Sequence, residues 1–200
     1  MAGKRTRRRY RVADLSAEAL EKELRRLERQ QGRGHWLWGT LIAFVLALVV
    51  GALAASRFLM IATVHGNSMS PTLENGSVVV CLRGSETERG ALALFEYEDS
   101  LLIKRVIALG GDTVEIDRNG ALKVNGDLVA ERYLKQAGVG ESDVVYPLKV
   151  PEGELFVMGD HRGTSVDSRS RIFGTVPAAS VVARPKLVAW PVYGIAWLGN

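Results

Sequence analysis

Cysteine is nearly absent from the chain. Cys81 stands alone among 200 residues, so no internal disulfide framework can hold the fold, and no redox compartment is selected. Histidine is scarce too: His35, His65 and His161 are the only imidazoles available for acid–base work. Beyond its first 33 residues the chain also lacks any excess of positive charge. Residues 1–33 hold eleven Lys and Arg against five Asp and Glu, and the remainder holds fifteen against seventeen. The formal net charge of +4 therefore resides in the N-terminal arm, and the main domain has no basic bias toward nucleic acid. Internal repeats are absent, and helical periodicity nearly vanishes after Ile61.

Charge is missing altogether from Trp36 to Ser56, "WLWGTLIAFVLALVVGALAAS", 21 residues in a row. A helix of that length spans roughly 31 Å, the thickness of a bilayer's hydrocarbon core. Trp36 and Trp38 sit at one end, where indoles favour the interface, and nine arginines precede them. By the positive-inside rule the N-terminus stays cytoplasmic and the C-terminal domain crosses the membrane. A buried core helix is the bland alternative, and the basic arm argues against it. The "ALAA" at 52–55 has the small-residue pattern of a signal-peptide cleavage site. The apolar run is too long for a usual signal core, and some 35 residues precede it, so an uncleaved signal anchor is the expectation.

Three segments follow: a basic cytoplasmic arm with a short helix over 1–34, a transmembrane anchor over 35–57, and an extracytoplasmic β-rich domain over 58–200. Residues 1–12 read as disordered. Leucines at 15, 20, 24 and 27 mark a helix over 15–30 with Ser16 as its N-cap, and Gly32 and Gly34 are expected to break it. Past Ile61 the runs "SVVVCL", "ALALFEY", "LLIKRVIAL", "TVEID", "ELFVM" and "SVVARPKLVAW" read as strands. Asn-Gly pairs at 119–120 and 125–126 predict hairpins. The fold class is mostly β.

Chemistry concentrates in three stretches. "GNSMSPTL", 66–73, offers Ser68 in a Gly-Asn turn before a proline. A serine hydroxyl is a poor nucleophile until a base takes its proton, although in isolation a Ser-x-Ser-Pro is usually an ordinary turn. His35 lies on the wrong side of the membrane, and His65 is too close in sequence to turn back. His161 could serve, oriented by Asp160 or Asp167. The other candidate is Lys104 in "LLIKRVIALGGD". On a period of two, Lys104 and Arg105 point to opposite faces of an apolar strand, so one of them must point where apolar residues do. Desolvation would make a lysine a neutral amine able to accept a proton, which a guanidinium cannot become. The bland alternative is an edge lysine that snorkels to water. The third stretch, "GDHRGTSVDSR", 159–169, supplies Ser165, a hydroxyl that could hold such a lysine without adding charge. Asp167 would then pair with Arg169.

These three motifs, in this order behind an N-terminal span, resemble the bacterial type I signal (leader) peptidase family over residues 36–175. The resemblance implies a membrane-bound Ser/Lys endopeptidase, with an antiparallel β catalytic domain, that removes signal peptides from exported preproteins. Ser68 would be the nucleophile, Lys104 the general base and Ser165 the hydroxyl orienting that lysine. Asp167 and Arg169 would form a supporting ion pair, Asp160 would shape the loop, and Met69 and Pro71 would fix the nucleophile turn. Substrates would carry small residues at the first and third positions before the cut. Val64 and Ile103, flanking the catalytic residues, are the candidates for lining the matching shallow pockets. The implied partners are preproteins and the lipid bilayer of the plasma membrane, with no nucleic acid, no cofactor and no metal.

Two positions depart from the family pattern. His161 stands where Asn is usual, which keeps a histidine base in play. Gly66 stands where some members place a serine that helps bind the oxyanion. Rival readings are a tethered β domain that only binds a partner, and a self-cleaving SOS-type repressor, for which residues 1–35 are too short to hold a DNA-binding domain. Organellar processing peptidases share the motifs.

Overall fold

The computed structural model describes residues 17–84, 86–134, 140–191 and 194–198. The basic tail of residues 1–12 and the expected cap at Ser16 lie outside these. The chain divides into two compact units, Met1–Ala54 and Ala55–Asn200.

A single helix, α1, runs from Ala17 to Phe58 without interruption. This corrects the expectation of a short helix ended by Gly32 and Gly34. A glycine inside a helix costs about 1 kcal/mol relative to alanine. It removes no backbone hydrogen bond, however, so two glycines weaken a long helix without ending it. Within α1, Trp36–Phe58 is long and apolar enough to cross a membrane, and none of it is buried by protein. A helix apolar on every side with no protein around it is suited to lipid.

Strand β1 (Leu59–Thr63) follows at once, then β2 (Val78–Arg83), β3 (Leu92–Tyr97) and β4 (Ser100–Leu109). Next come β5 (Thr113–Ile116), β6 (Leu122–Val124), β7 (Asp127–Leu128) and β8 (Leu148–Lys149). The chain closes with β9 (Glu154–Met158), β10 (Val176–Pro177), β11 (Val181–Trp190) and β12 (Ala196–Trp197). The larger sheet has the order β1-β2-β11-β3-β4-β9-β10, with β12 added to β11, and the smaller has the order β7-β6-β5-β8. Every pairing is antiparallel. The mostly β expectation holds, but the division into two sheets carries no signature in the strand patterns.

Both Asn-Gly pairs form turns. Asn125 (φ 55°) and Gly126 (φ 88°) take the two left-handed positions of a tight turn between β6 and β7. Gly120 (φ 84°) lies in the β5–β6 connection, where Asp117 Oδ1 accepts from the amides of Asn119 and Ala121.

The core strand is β4. Its first half pairs with β3, Lys104 lying opposite Ala93, and its second half pairs with β9. From Lys104 to Ala108 every residue is buried. Covered on both faces, this segment must place whatever polar groups it carries inside the protein, and it carries two cations.

Candidate active site

The loop from Val64 to Leu73 is pinned at both ends. Val64 donates to Ser77 O (2.8 Å) and accepts from Gly76 N (2.8 Å), which closes the base of the loop. Gly66 adopts φ 85°, a value that favours glycine, and its amide donates to Asn75 Oδ1 at 2.9 Å. At the far end Ser70 N donates to Asn67 O (3.1 Å) and Leu73 N to Met69 O (2.9 Å). Met69 and Leu73 are buried in the same apolar cluster as Val64. Pro71 joins Ser70 through a cis peptide bond. Ser68 sits between these anchors, half-buried. Among the described residues nothing accepts a hydrogen bond from its amide.

Ser68 and Lys104 line one cavity of about 440 Å³, together with Val64 and Ile103. Lys104 is 5% exposed, and its Nζ donates to Ser165 Oγ at 2.9 Å. Burial pushes the ammonium below the ordinary lysine range, although Asp167 and Asp160 pull in the opposite direction. Those carboxylates are engaged elsewhere. Asp167 receives Arg169 Nε (2.8 Å) and Nη2 (2.9 Å), and also the Gly159 amide (2.9 Å). Asp160 receives Arg105 Nε (2.8 Å) and Nη2 (2.6 Å), and Thr72 Oγ1 donates to it as well. Arg162 pairs with Glu131. Three guanidiniums thus face three carboxylates, and among the described residues no carboxylate pairs with Lys104. Such a lysine can lose its proton at modest cost and then accept one from a hydroxyl.

Sequence reasoning expected one of Lys104 and Arg105 to turn inward; both do, Arg105 being 8% exposed. The difference lies in pairing. Arg105 keeps its charge inside a fork with Asp160, whereas Lys104 meets only a hydroxyl. The Arg105–Asp160 pair went unrecognised because the two lie 55 residues apart, with nothing in sequence to match them.

The 159–169 loop closes over Ser68 through its backbone. His161 N donates to Ser68 O at 3.0 Å. The imidazole of His161 is exposed, and its Nδ1 lies 2.6 Å from Thr164 Oγ1. It does not line the cavity that holds Ser68 and Lys104. A histidine base at this position therefore finds no support. His65 lies at the cavity rim with Nδ1 3.1 Å from Thr63 O. Gly159 is required sterically: a Cβ there would lie 2.2 Å from Ser165 Oγ and 2.5 Å from Ser68 O. Among the described residues no group of His, Cys, Asp and Glu is arranged to hold a metal ion.

A buried lysine without a carboxylate partner among the described residues thus shares one cavity with a serine held on a tight loop. Residues 36–190 match the family described as signal peptidase, peptidase S26. The chain is 34% identical to signal peptidase I of Bacillus amyloliquefaciens over 180 residues, 82% of this chain and 90% of that one. It is 35% identical to signal peptidase I S of Bacillus subtilis over 169 residues, 78% of this chain and 89% of that one. The crystal structure of a signal peptidase I from Enterococcus faecalis aligns at 34% identity over 50% of this chain and 97% of that one, with a TM-score of 0.43. The chain belongs to the signal peptidase family, peptidase S26.

Proposed function

We propose that this protein is a membrane-anchored endopeptidase that cleaves signal peptides from exported preproteins with Ser68 as nucleophile and Lys104 as general base. The observation that carries this reading is the buried Lys104 ammonium, held by Ser165 Oγ at 2.9 Å and left without a carboxylate, in the cavity that Ser68 also lines.

In the first step neutral Lys104 takes the proton of Ser68 as Oγ attacks the scissile carbonyl, giving a tetrahedral oxyanion. The free Ser68 amide is the first donor to that oxyanion. Collapse breaks the C–N bond. The lysine's new proton passes to the departing amine, so the mature protein leaves with a free N-terminus and an acyl group stays on Ser68. A water molecule, deprotonated by the again neutral Lys104, then hydrolyses the ester and returns the proton to Ser68. Ser165 orients the lysine throughout. The Asp167–Arg169 and Asp160–Arg105 pairs fix the loop that presents Ser165, and Met69 and Pro71 fix the Ser68 turn.

Val64 and Ile103 line the cavity on the substrate side. A shallow apolar wall there admits alanine and rejects longer side chains, since overpacking commonly costs about 1–3 kcal/mol. The basic arm before Trp36 keeps the N-terminus cytoplasmic, so the β domain stands on the outer face of the plasma membrane, where signal peptides emerge. The test is to incubate the purified protein with a preprotein and sequence the N-terminus of the product. A cut directly after a small-x-small pattern that is lost in Ser68→Ala, with the fold retained, supports the proposal. Cleavage by Ser68→Ala overturns it.

A further inference from the structure

After β7, residues 129–134 form a strap that reaches the loop carrying Ser165 without lining the cavity of Ser68. Tyr133 lies flat beneath Arg105, whose Cζ stands 3.9 Å from the ring centroid. The tyrosine hydroxyl donates to Glu131 Oε1 at 2.7 Å. Glu131 in turn receives both terminal nitrogens of Arg162, Nη1 at 3.2 Å. The side chains of Glu131 and Arg162 are 10% and 3% exposed. From these two arginines the contacts run straight into the loop. Arg105 grips Asp160 with two nitrogens, and Arg162 Nε donates to Gly159 O at 3.1 Å. Arg162 O also accepts from Arg169 Nη2 at 2.9 Å. The loop so held presents the His161 amide to Ser68 O and Ser165 Oγ to Lys104.

From these contacts we infer that Tyr133 and Glu131 are positioning residues for the peptidase reaction, acting through Arg105 and Arg162 to hold the 159–165 loop at the distance at which Ser165 meets Lys104. Neither residue lines the cavity of Ser68, so neither contacts substrate there. The two make different contributions. The Tyr133 ring covers one face of the Arg105 guanidinium where Arg105 borders the open groove lined also by Arg89, Leu128 and Tyr133, and a cation is stabilised over an aromatic face. Glu131 supplies the only carboxylate partner of Arg162 among the described residues; without it Arg162 would turn toward another acceptor and release Gly159 O.

The inference rests on the Ser68/Lys104 reading, and the experiment separates the two. Full-length Tyr133→Leu, Tyr133→Phe and Glu131→Gln, with Ser68→Ala and Lys104→Ala alongside, are assayed in detergent for kcat, KM and the pH dependence of kcat. Misplacing a reacting group by about 1 Å costs up to roughly a hundredfold in rate, so Tyr133→Leu is expected to lose at least about tenfold in kcat with KM little changed. Tyr133→Phe, which keeps the ring over Arg105, is expected to recover most of that loss. In Tyr133→Leu the rising limb of the kcat profile is expected to move, because Lys104 no longer has Ser165 at a fixed distance. Glu131→Gln keeps the shape of the side chain and guards against a Tyr133→Leu that fails to fold; its kcat is also expected to fall. Unchanged kcat per folded molecule in Tyr133→Leu and Glu131→Gln, or a rise confined to KM, overturns the positioning role while dead dyad variants leave the dyad standing. Activity surviving in Ser68→Ala or Lys104→Ala overturns the dyad instead.

Discussion

His161 meets Ser68 through its main chain: the amide of His161 donates to the carbonyl of Ser68 at 3.0 Å, while its imidazole faces outward beside Thr164. Any residue but proline at position 161 can make that contact. His161→Ala is therefore expected to keep most of the cleavage activity, within about threefold, since only a surface hydrogen bond is lost. Lys104→Ala is expected to abolish cleavage, and so is Lys104→Arg, because a guanidinium cannot give up its proton. Steady-state cleavage of a signal-peptide substrate checks all three, and the opposite ranking favours a histidine base.

At Gly159 the Ser165 side chain and the Ser68 backbone come together. Gly159→Ala would force a methyl group to within 2.2 Å of Ser165 Oγ and 2.5 Å of Ser68 O. The backbone must move to admit it, and overpacking of this kind typically costs about 1–3 kcal/mol. The expected outcome is a lowered melting temperature together with loss of cleavage, because the displaced atoms are the Ser68 backbone and the hydroxyl proposed to orient Lys104. An active Gly159→Ala would show that the loop can withdraw from Ser68 without consequence.

Much of this site is readable from sequence, and its limits have physical causes. Lys104 can be singled out because an amine within an apolar strand is anomalous by composition alone. The Asp167–Arg169 pair can be read because the partners are two residues apart. By contrast, Arg105 with Asp160 and Arg162 with Glu131 join segments that only the sheet topology brings together. The same holds for the backbone contact of His161 with Ser68, which carries no side-chain signal. In the fold, the longer strands after Val78 announce themselves through branched residues and Asn-Gly turns, whereas β1, β8, β10 and β12 do not, and the order β1-β2-β11-β3-β4 depends on contacts far apart in the chain. Glycine misled at 32 and 34 because its helix penalty of about 1 kcal/mol removes no backbone hydrogen bond, and α1 runs through both positions.

The Asp167 carboxyl gives the fold an acid limit. Burial alone would raise it, but the Arg169 guanidinium and the Gly159 amide hold it below the ordinary carboxylate range. A depressed folded value stabilises the protein above the unfolded value of about 3.9, and the gain is lost as pH falls through the folded value. Asp167→Asn is expected to destabilise the protein by about 3–5 kcal/mol near neutral pH, since the buried Arg169 guanidinium loses its Asp167 carboxylate. Its melting temperature is also expected to vary less with acid than the parent's. Thermal unfolding between pH 3 and 7 checks both.

The span holds "ALAA" at 52–55, a pattern suited to the specificity proposed above. Self-cleavage after Ala54 would need that bond to reach Ser68, fourteen residues further along the chain. Helix α1 continues through Ala54 to Phe58, so its amides are tied up in helical hydrogen bonds and the bond has no extended backbone to present. Unwinding it in a bilayer leaves polar groups unsatisfied at several kcal/mol each. Intramolecular cutting is expected to be negligible, with slow cutting between molecules in detergent. N-terminal sequencing after incubation at several protein concentrations checks this, and a concentration-independent rate would contradict it.

The most direct measurement of the Ser68/Lys104 mechanism is the pH dependence of kcat/KM for the wild-type enzyme, which titrates the free enzyme's essential groups. Lys104 lies below the ordinary lysine range of about 10.4 because burial disfavours its charge, and only its neutral form accepts the Ser68 proton. Activity is therefore expected to be low in acid, to rise as pH climbs through the depressed lysine value, and to do so unchanged in His161→Ala. A profile flat from mildly acidic to alkaline pH, or a rising limb near pH 6.5 that disappears in His161→Ala, would contradict a lysine base.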